Sequence, residues 1–556
     1  MKGDPVREIG TRLAAVLLTC TSTVWGLTLE AEKASVKTDG GPMPGGWNLW
    51  SNGWLGDRVR FEKAGTYEVV VRAHGSPAKG EWPRMELLLD GQPKQAVTVE
   101  KKEFADYSFK LDIPAGLHTL GVAFTNDAVE GNEDRNLYLD KLEIRPPAGT
   151  PEPTLATAAE TAMEAEKQEE AILEQARKDI ETNRKGDAVV RVVDAAGKPV
   201  AGAAVTLEQT GHDFLFGCNI YMFDRYKEPE KNEAYKQRFR ELFNYATVGF
   251  YWRWYEPERG KPMYDYTDKV VAWCQQHGIR MKGHPLLWDH EAGKPKWTNN
   301  QQPLPEVQKQ RVAEIVKRYS GKIELWEVVN EPSHCRGVKI DEPYRWAREA
   351  DPKAYLIVND YYVMADGQPA FFKLLQDAIK NGVPFEGIGI QAHEPRTMRF
   401  PLEQVKRVLD QYAALGKELH ITEFTPCSGG QPITGSHIQG KWDEAAQADY
   451  AVKFYTVCFA HPAMRGITWW DLCDDSSWLP GGGLLRKDLS PKSVYTALKK
   501  LIHEAWHTRV EGKTDGEGCF RLRGFFGRYA VAIGGAARSS FHLARGEGNE
   551  FVVRLP

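Results

Sequence analysis

The chain has 556 residues and a formal net charge of −4 at pH 7. That length is too great for one hydrophobic core, so we expect one large domain with smaller ones attached. The small negative charge gives no general attraction to nucleic acid or to an anionic membrane surface, and neither is expected as a partner. The 17 tryptophans exceed ordinary usage; exposed indoles commonly stack on sugars, while core packing accounts for the remainder.

Residues 1–26 predict a secretory signal peptide. Basic residues precede an apolar run at 13–18, and small and polar residues follow it. The run is too short to span a bilayer as a mature anchor. Thr19 immediately before Cys20 fits a lipoprotein cleavage site poorly. We therefore expect a soluble, secreted, extracellular protein and a monomer.

Removal of that segment leaves seven of the eight cysteines, an odd number, without Cys-x-x-Cys spacing. At least one thiol is therefore unpaired within the chain, and no zinc site is indicated. Cys335 and Cys427 lie in the same large domain, each four residues beyond a glutamate discussed below. A disulfide between them is an alternative that the sequence leaves open.

Residues 27–147 predict a small β-sandwich. Short β-rich runs, such as 66–73 and 84–89, alternate with Gly, Pro and Asn/Asp turns, which is typical of that fold. Residues 148–186 follow as a linker. After a Pro/Gly-rich break, the segment 155–184 is rich in Ala, Glu, Lys and Gln, which predicts a solvated helical spacer rather than a dedicated partner helix.

Residues 187–507 predict an α/β domain, a (β/α)8 TIM barrel with a leading β hairpin at 189–193 and 204–207. Eight β-type runs, each followed by a segment of helical period, occupy the rest of this region. The runs begin at Phe214, Ala246, Ile279, Ile323, Ala354, Phe385, Glu418 and Gly466. Residues 508–556 return to short strands and glycine turns. We expect this C-terminal extension to pair with the hairpin, because the two ends of a barrel chain lie close together.

Two of the β-type runs end in a glutamate. Glu331 lies in residues 326–332 (WEVVNEP), and Glu423 lies in residues 421–424 (ITEF). If both runs are strands of one parallel barrel, both glutamates face the mouth at the carboxyl ends of the strands. Glycoside hydrolysis needs such a pair, one carboxyl holding a proton for the leaving oxygen and the other ionised to attack or assist the sugar carbon. The alternative for either glutamate alone is a carboxylate satisfied by an arginine or a backbone N–H.

The surroundings of the two glutamates argue against that alternative. Polar groups that bond sugar hydroxyls, and aromatic rings that stack on pyranose faces, lie at the ends of other β-type runs. They are Asn330, His284 in residues 283–288 (GHPLLW), His393 in residues 389–393 (GIQAH), and Trp470 and Trp478 in residues 469–478 (WWDLCDDSSW). Groups suited to carbohydrate therefore collect at one end of one scaffold.

Residues 210–505 resemble a glycoside hydrolase family 10 domain, typically an endo-β-1,4-xylanase of retaining mechanism. The motifs that carry the resemblance are residues 283–288, 326–332, 359–361 (NDY), 389–393, 421–424 and 468–478. The resemblance implies that Glu331 is the general acid/base and Glu423 the nucleophile. Asn330 is then expected to bond the sugar 2-hydroxyl and His393 to orient Glu423. The other expected substrate-binding residues are Arg253, His284, Trp288, Gln391, Trp470 and Trp478. No metal or organic cofactor is expected in the chemistry.

The sequence departs from the family pattern on the second β-type run. The family usually has a Glu-Asn pair followed by a Lys, which hold the sugar two units from the cleaved bond on the non-reducing side. This chain has residues 249–253 (GFYWR) there, and only Arg253 keeps a comparable charge. We therefore expect a decorated xylan, or altered binding on that side. Asp289 and Asp471 also stand where the family usually has His and Gly.

The N-terminal region resembles calcium-dependent carbohydrate-binding modules of the xylan- and glycan-binding families. The matching stretches are residues 29–32 (LEAE), 124–127 (FTND) and 134–140 (DRNLYLD). Oxygen-rich side chains in turns are the usual ligands of calcium. The resemblance implies a structural site at Glu30, Glu32 and Asp140, and a site near the carbohydrate at Asp127, Glu130 and Asp134. Ordinary turn and edge-strand acids are the alternative. Candidates for stacking on sugar are Trp47, Trp50, Trp54 and Trp82.

The leading hypothesis is a secreted endo-xylanase whose partner is xylan or a related plant cell-wall polysaccharide. A second hypothesis is hydrolysis of another β-1,4-glycan. A third is a non-catalytic polysaccharide-binding protein that kept the barrel. The joint presence of Glu331, Asn330, His393 and Glu423 argues against the third.

Overall fold

The computed structural model describes residues 26–365, 368–546 and 548–556. Residues 1–25 of the predicted signal peptide therefore lie outside the described residues. Within the described ranges, no helix is both long enough and apolar enough to cross a membrane.

The N-terminal region is a sandwich of two six-stranded sheets, as predicted. In one sheet Gly65–Ser76 pairs antiparallel with Asn136–Arg145; in the other Gly53–Phe61 pairs antiparallel with Gly116–Phe124. Alternate residues of these strands meet in one apolar core between the sheets. The other strands are Leu27–Glu30, Val36–Lys37, Gly41–Met43, Gly46–Leu49, Arg84–Leu89, Gln92–Thr98, Ala105–Ile113 and Thr154–Leu155, with a small ribbon of Val129–Glu130 and Glu133–Asp134.

The helix Ala158–Asn183 confirms the predicted helix but not the predicted solvation. It starts with a capping box, in which the Thr157 side chain accepts from the Glu160 N–H and the Glu160 carboxylate accepts from the Thr157 N–H. One face packs on the barrel helix Glu444–Ala460. On this face, buried Glu169 pairs with Lys453 of that helix at 2.9 Å and with Arg399 at 2.6 Å. The composition is typical of a solvated helix. In the structure, however, contacts with the barrel bury one face, and the Glu169 carboxylate on that face is paired.

Eight parallel strands close into the predicted barrel. They are Leu215–Asn219, Tyr245–Gly249, Arg280–His284, Leu325–Asn330, Tyr355–Asp360, Gly387–Ala392, Glu418–Phe424 and Met464–Trp469. The last strand pairs with the first, with Gly466 opposite Leu215, so the sheet has no free edge. Each observed strand begins within two positions of its predicted start. The barrel fold is therefore confirmed.

Helices surround the barrel strands. They are Pro229–Arg240, Trp252–Tyr255, Tyr264–Gln276, Pro305–Arg318, Asp341–Ala350, Pro369–Lys380, Leu402–Ala413, Glu444–Ala460 and Ser493–Lys500. A close approach between the third and fourth barrel strands requires glycine at one position. A Cβ at Gly283 would lie 2.2 Å from the Trp326 ring, which is fully buried. This glycine therefore lets Trp326 pack beside the strand that carries His284.

The C-terminal extension pairs with the leading hairpin, as predicted. Lys185–Val193 pairs antiparallel with Cys519–Phe525 and parallel with Glu550–Arg554. Ala204–His212 pairs with Arg509–Lys513 and Gly527–Ile533, and the latter pairs with Ala536–Leu543. These strands share an apolar core that lies outside the main barrel core.

The sandwich contacts both the long helix and the barrel. Arg58, which is 4% exposed, donates to the Thr161 carbonyl at 3.1 Å and to Gln168 at 2.6 Å. Thr119 lies 3.4 Å from His437, in the loop after the seventh barrel strand. The sandwich is therefore held against the rest of the chain by specific contacts as well as by the linker.

Candidate active site

A cavity of about 1200 Å³ opens at the carboxyl ends of the barrel strands. Glu331 and Glu423 both line it. So do most of the substrate-binding residues expected from the sequence, namely His284, Trp288, Asn330, Gln391, His393, Trp470 and Trp478. The structure therefore brings these residues, which are far apart in sequence, to one site.

Glu331 follows the fourth strand in a left-handed conformation, with φ 53°. A non-glycine residue adopts this conformation at a cost, and such strain is commonly found at functional sites. Its carboxyl accepts the Trp288 indole N–H at 3.0 Å and the Gln391 amide at 3.1 Å. Burial, and then the nearby charge of Glu423, raise the pKa of Glu331 to about 7.

Glu423 ends the seventh strand and is 5% exposed. Its carboxyl lies 2.9 Å from His393 Nε2, and its other oxygen accepts from the Asn359 amide at 3.4 Å. Burial, with the charges of Glu327 and Asp471, raises the pKa of Glu423 to about 7, while His284 and Lys282 act in the opposite direction. The pKa values of both glutamates are therefore raised to about 7, and the two groups differ in their hydrogen-bond partners.

His393 is held as a neutral donor. Burial lowers the pKa of His393 to about 4, so the ring is uncharged at neutral pH. An ionised Glu423 can only accept a hydrogen bond, which assigns the proton of the imidazole to Nε2. Nδ1 then accepts from the Thr425 hydroxyl, 2.8 Å away. Thr425 is a site residue that the sequence did not indicate.

A buried charge network supports the wall beside Glu423. Glu327 is fully buried and bonds Lys282 at 2.6 Å and His284 Nδ1. Lys282 and His284 oppose the effect of burial and hold the pKa of Glu327 below its usual range. Oxygen and nitrogen atoms of His284, Glu327 and Glu423 lie within 4.8 Å of one another, a spacing that could hold a metal ion. The Lys282 ammonium already places a positive charge beside the buried Glu327 carboxylate.

Aromatic rings surround Glu331 and Glu423. Trp470 makes edge contacts with His284 at 5.3 Å, and Trp478 with His393 at 5.2 Å. Asp471 accepts from Asn219 at 3.0 Å and from the Trp478 backbone N–H at 3.3 Å. The aspartate that departs from the family pattern thus joins the Trp478 loop to the first barrel strand.

The structure places Arg253 outside the cavity, against the expectation that it binds substrate. The short helix Trp252–Tyr255 carries it toward Glu291, with which it pairs at 2.9 Å, and toward Asn300, to which it donates at 2.7 Å. Tyr251 lines the cavity instead, with its hydroxyl 3.2 Å from His284. A sequence pattern identifies a charged residue but not the direction of its side chain.

All seven cysteines among the described residues are free, so the disulfide alternative for Cys335 and Cys427 is wrong. The Cys335 thiol instead lies 3.7 Å from Glu331. Burial raises the pKa of Cys335 to about 11, so this thiol stays neutral beside the carboxyl.

The carboxylates of the sandwich are arranged differently from the expectation. Asp140 pairs with Arg72 at 3.0 Å, and among the described residues no three-ligand cluster joins it to Glu30 and Glu32. Asp127 is different, because its Oδ1 is buried without a hydrogen-bond partner.

Burial, with the nearby charges of Asp134 and Asp39, raises the pKa of Asp127 to about 6. Asp39 is a third acid at this position that the sequence did not indicate. A hard cation would satisfy the unpartnered Asp127 oxygen and relieve the repulsion from Asp134 and Asp39. Among the described residues these three acids form no three-ligand cluster, so Asp127 alone carries the fit to calcium.

Comparison with known proteins gives two family matches. The model described as glycosyl hydrolase family 10 matches residues 211–501, which is 291 of 556 residues. The model described as a Ca-dependent, xylan-binding carbohydrate-binding module, CBM60, matches residues 68–157.

Curated relatives extend the comparison. Anti-sigma-I factor RsgI6 of Acetivibrio thermocellus is 28% identical over 401 residues, covering 69% of this chain and 50% of that protein. Endo-1,4-beta-xylanase B of Thermotoga neapolitana is 28% identical over 301 residues, covering 49% of this chain and 84% of that protein. The chain thus spans half the length of the first relative. Among solved structures, xylanase 10B from Thermotoga petrophila RKU-1 in complex with xylobiose has a TM-score of 0.45 at 26% identity, covering 53% of this chain and 95% of that chain.

Proposed function

Because the chain belongs to glycosyl hydrolase family 10, we propose that it hydrolyses internal β-1,4-xylosidic bonds of xylan by a retaining double displacement. The observation that carries the proposal is the pair Glu331 and Glu423, which line one cavity in unlike surroundings. A retaining reaction requires carboxyl groups ~5–5.5 Å apart, one a proton donor and the other a nucleophile.

In the first step Glu423, as the carboxylate, attacks the anomeric carbon. Glu331 gives its proton to the oxygen of the departing sugar, so the glycosidic bond breaks as the ester to Glu423 forms. His393 donates to Glu423 and holds it in place. Asn330, 2% exposed at the cavity wall, bonds the sugar 2-hydroxyl.

In the second step Glu331, now ionised, takes a proton from water. The water oxygen attacks the anomeric carbon, the ester to Glu423 breaks, and Glu331 is protonated again. Two inversions at one carbon leave the β configuration unchanged. The rise in the pKa of Glu331 to about 7 suits both roles, because the group can give and take a proton near neutral pH.

The sandwich is proposed to bind xylan with calcium, and the match to the Ca-dependent module supports this. Asp127, with Asp39 and Asp134 nearby, would hold the ion, which would supply a positive charge for sugar hydroxyls. We further propose the domain division inferred from the sequence, with a sandwich at 27–147, a linker at 148–186, a barrel at 187–507 and an extension at 508–556. Polymeric xylan lies outside cells, so the proposed site of action is extracellular.

Product analysis on a panel of xylan, cellulose and mixed-linkage glucan tests the function, with Glu423→Gln as the matched inactive control. We expect β-configured xylo-oligosaccharides from xylan, detected by NMR before mutarotation. Products from a glucan alone would support hydrolysis of another β-1,4-glycan. No products from any polysaccharide, with binding retained, would support a non-catalytic binding protein.

A further inference from the structure

The catalytic cavity continues beyond Glu423 into a largely apolar extension, here called the side cavity. It lies between the first two barrel strands and the helix Tyr264–Gln276. Its walls include Tyr221, Met222, Tyr251, Tyr255, Met263 and Tyr266. From Ile220 to Val270, every lining residue except Arg225 is uncharged, and most are aromatic or aliphatic.

A glycine opens the side cavity next to the catalytic centre. A Cβ at Gly249 would lie 3.0 Å from the Tyr221 ring, so a larger side chain there would displace that ring. Tyr221 makes edge contacts with Tyr251 at 5.8 Å and with Trp470 at 5.7 Å. These rings form a continuous wall from the side cavity to the cleavage point.

One hydroxyl group in the walls, Tyr221 Oη, is buried without a well-formed hydrogen bond and lies near Tyr251. The Tyr255 hydroxyl lies near Thr267 and Tyr319, which do not line the cavity. A ligand that carries an oxygen can bond the Tyr221 hydroxyl. Arg225 lies over the Tyr266 ring at 4.0 Å and forms no ion pair with a described carboxylate. The side cavity therefore offers flat apolar walls with a few oxygen-binding positions.

Aromatic walls can stack on a sugar face, but these walls offer few donors or acceptors for sugar hydroxyls and so also suit a flat aromatic group. A xylose unit presents hydroxyls around its rim, and its binding site needs several donors and acceptors at fixed positions. A hydroxycinnamoyl group is flat and apolar, prefers edge contacts with other aromatic rings, and carries a phenolic oxygen at its far end. We propose that the side cavity binds an aromatic acyl ester borne by the xylan chain on the non-reducing side of the cleaved bond. This inference rests on the proposed function.

A matched pair of substrates tests the inference. One is a feruloylated arabinoxylo-oligosaccharide, and the other is the same compound after alkaline removal of the ester. We expect kcat/KM to be roughly ten-fold higher for the ester, mainly through KM, because the aromatic ring adds binding energy that the sugar chain lacks. Equal values, or a preference for the saponified compound, would overturn the inference.

Variants of the wall show where the preference arises. In Gly249→Glu and Tyr221→Ala the ratio of kcat/KM between the two substrates should fall toward one, whereas Arg253→Gln, outside the cavity, should keep the parent ratio. If Tyr221→Ala and Gly249→Glu both keep the parent ratio of kcat/KM, the aromatic group binds elsewhere. A preference for a glucuronate-bearing oligosaccharide, lost in Arg225→Gln, would replace the aromatic ligand with an anionic one.

A binding measurement separates this inference from the proposed function. Calorimetry with the Glu423→Gln variant compares the same two compounds without turnover. Tighter binding of the ester supports the side cavity even if no polysaccharide is cleaved by the parent. Equal binding rejects the side cavity while leaving xylan hydrolysis intact.

Discussion

His393 Nε2 lies 2.9 Å from Glu423 Oε2, in a ring whose pKa burial lowers to about 4. The imidazole is therefore a neutral donor that orients the carboxylate without pairing it with a full charge. Among the described residues no histidine bonds Glu331 in this way; it accepts from Trp288 and Gln391. This difference underlies the separate roles proposed for the two glutamates.

Kinetics on an aryl xylobioside with an acidic phenol should separate those roles. Glu423→Gln removes the nucleophile and should abolish turnover on every substrate. Glu331→Ala loses proton transfer, typically worth ~10²–10⁴-fold, yet this leaving group departs without a proton. The Glu331 variant should form its glycosyl-enzyme rapidly and then stall, because no base activates water.

Azide needs no base, so it should restore turnover of the Glu331 variant and yield a glycosyl azide of β configuration. Chromatography and NMR identify this product. An α-azide, or a Glu331 variant as active on polymeric xylan as the parent, would contradict the assignment.

The pH dependence of stability should reveal the buried acid. The pKa of Glu331 rises from an ordinary 4.5 to about 7 on folding, so its contribution to stability is present below pH ~4.5 and lost as pH rises through ~7. Glu331→Gln cannot ionise, and should gain on the order of 1–3 kcal/mol over the parent between pH 5 and 8. Thermal unfolding across that range measures the difference, with the exposed Glu103→Gln as control. A difference in stability between Glu331→Gln and the parent that is the same at all pH values would mean that Glu331 is not buried as an acid.

Calcium should stabilise the sandwich. An ion that binds only the folded state adds stability by mass action, and Asp127 has an unpartnered buried oxygen. A chelator should lower the melting temperature of the full chain's sandwich transition and weaken retention on insoluble xylan. Asp127→Asn should abolish both responses, whereas Glu103→Gln should keep them. Unchanged melting on chelation would leave Asp39, Asp127 and Asp134 as ordinary acids.

A chain that begins at residue 151 should still cut soluble xylo-oligosaccharides, because the proposed catalytic groups Glu331 and Glu423 both follow the long helix. Rates on insoluble xylan should fall, since the sandwich raises the local concentration of substrate. Loss of Arg58 and Arg60, which bond the helix, should cause only a modest loss in stability. The measurement compares kcat/KM on xylohexaose with the rate at which sugar is released from insoluble xylan, for the truncated and the full chain. Abolished activity on the hexaose would show that the sandwich belongs to the catalytic unit.

The second barrel strand should bind substrate through Tyr251 rather than Arg253. Arg253→Gln should change KM for linear xylo-oligosaccharides less than about two-fold, because the side chain already pairs with Glu291. Tyr251→Phe removes the hydroxyl beside His284 and should raise KM or lower kcat several-fold, in the range expected for one buried hydrogen bond. Subsite mapping on oligosaccharides of two to six units measures both. A large effect of Arg253→Gln would return that arginine to the site.

The barrel and the position of both glutamates could be predicted from the sequence. The β-type runs and the segments of helical period recur locally, and each glutamate stands at the end of a run. Strand ends in a parallel barrel share one face, so order along the chain was sufficient to bring Glu331 and Glu423 to one mouth.

Only the tertiary structure decided which way Arg253 points, that Tyr221 packs on Gly249, and that the long helix is buried. Glu169 and Arg399 are 230 positions apart, and no local pattern records such a pairing. A charged residue has the same helix propensity whether it faces solvent or another part of the protein. Composition therefore predicted a solvated helix, although one face of this helix packs on the barrel. Local sequence thus determined the elements and the positions of Glu331 and Glu423 at strand ends, whereas contacts between distant residues decided the shape of the cavity around them.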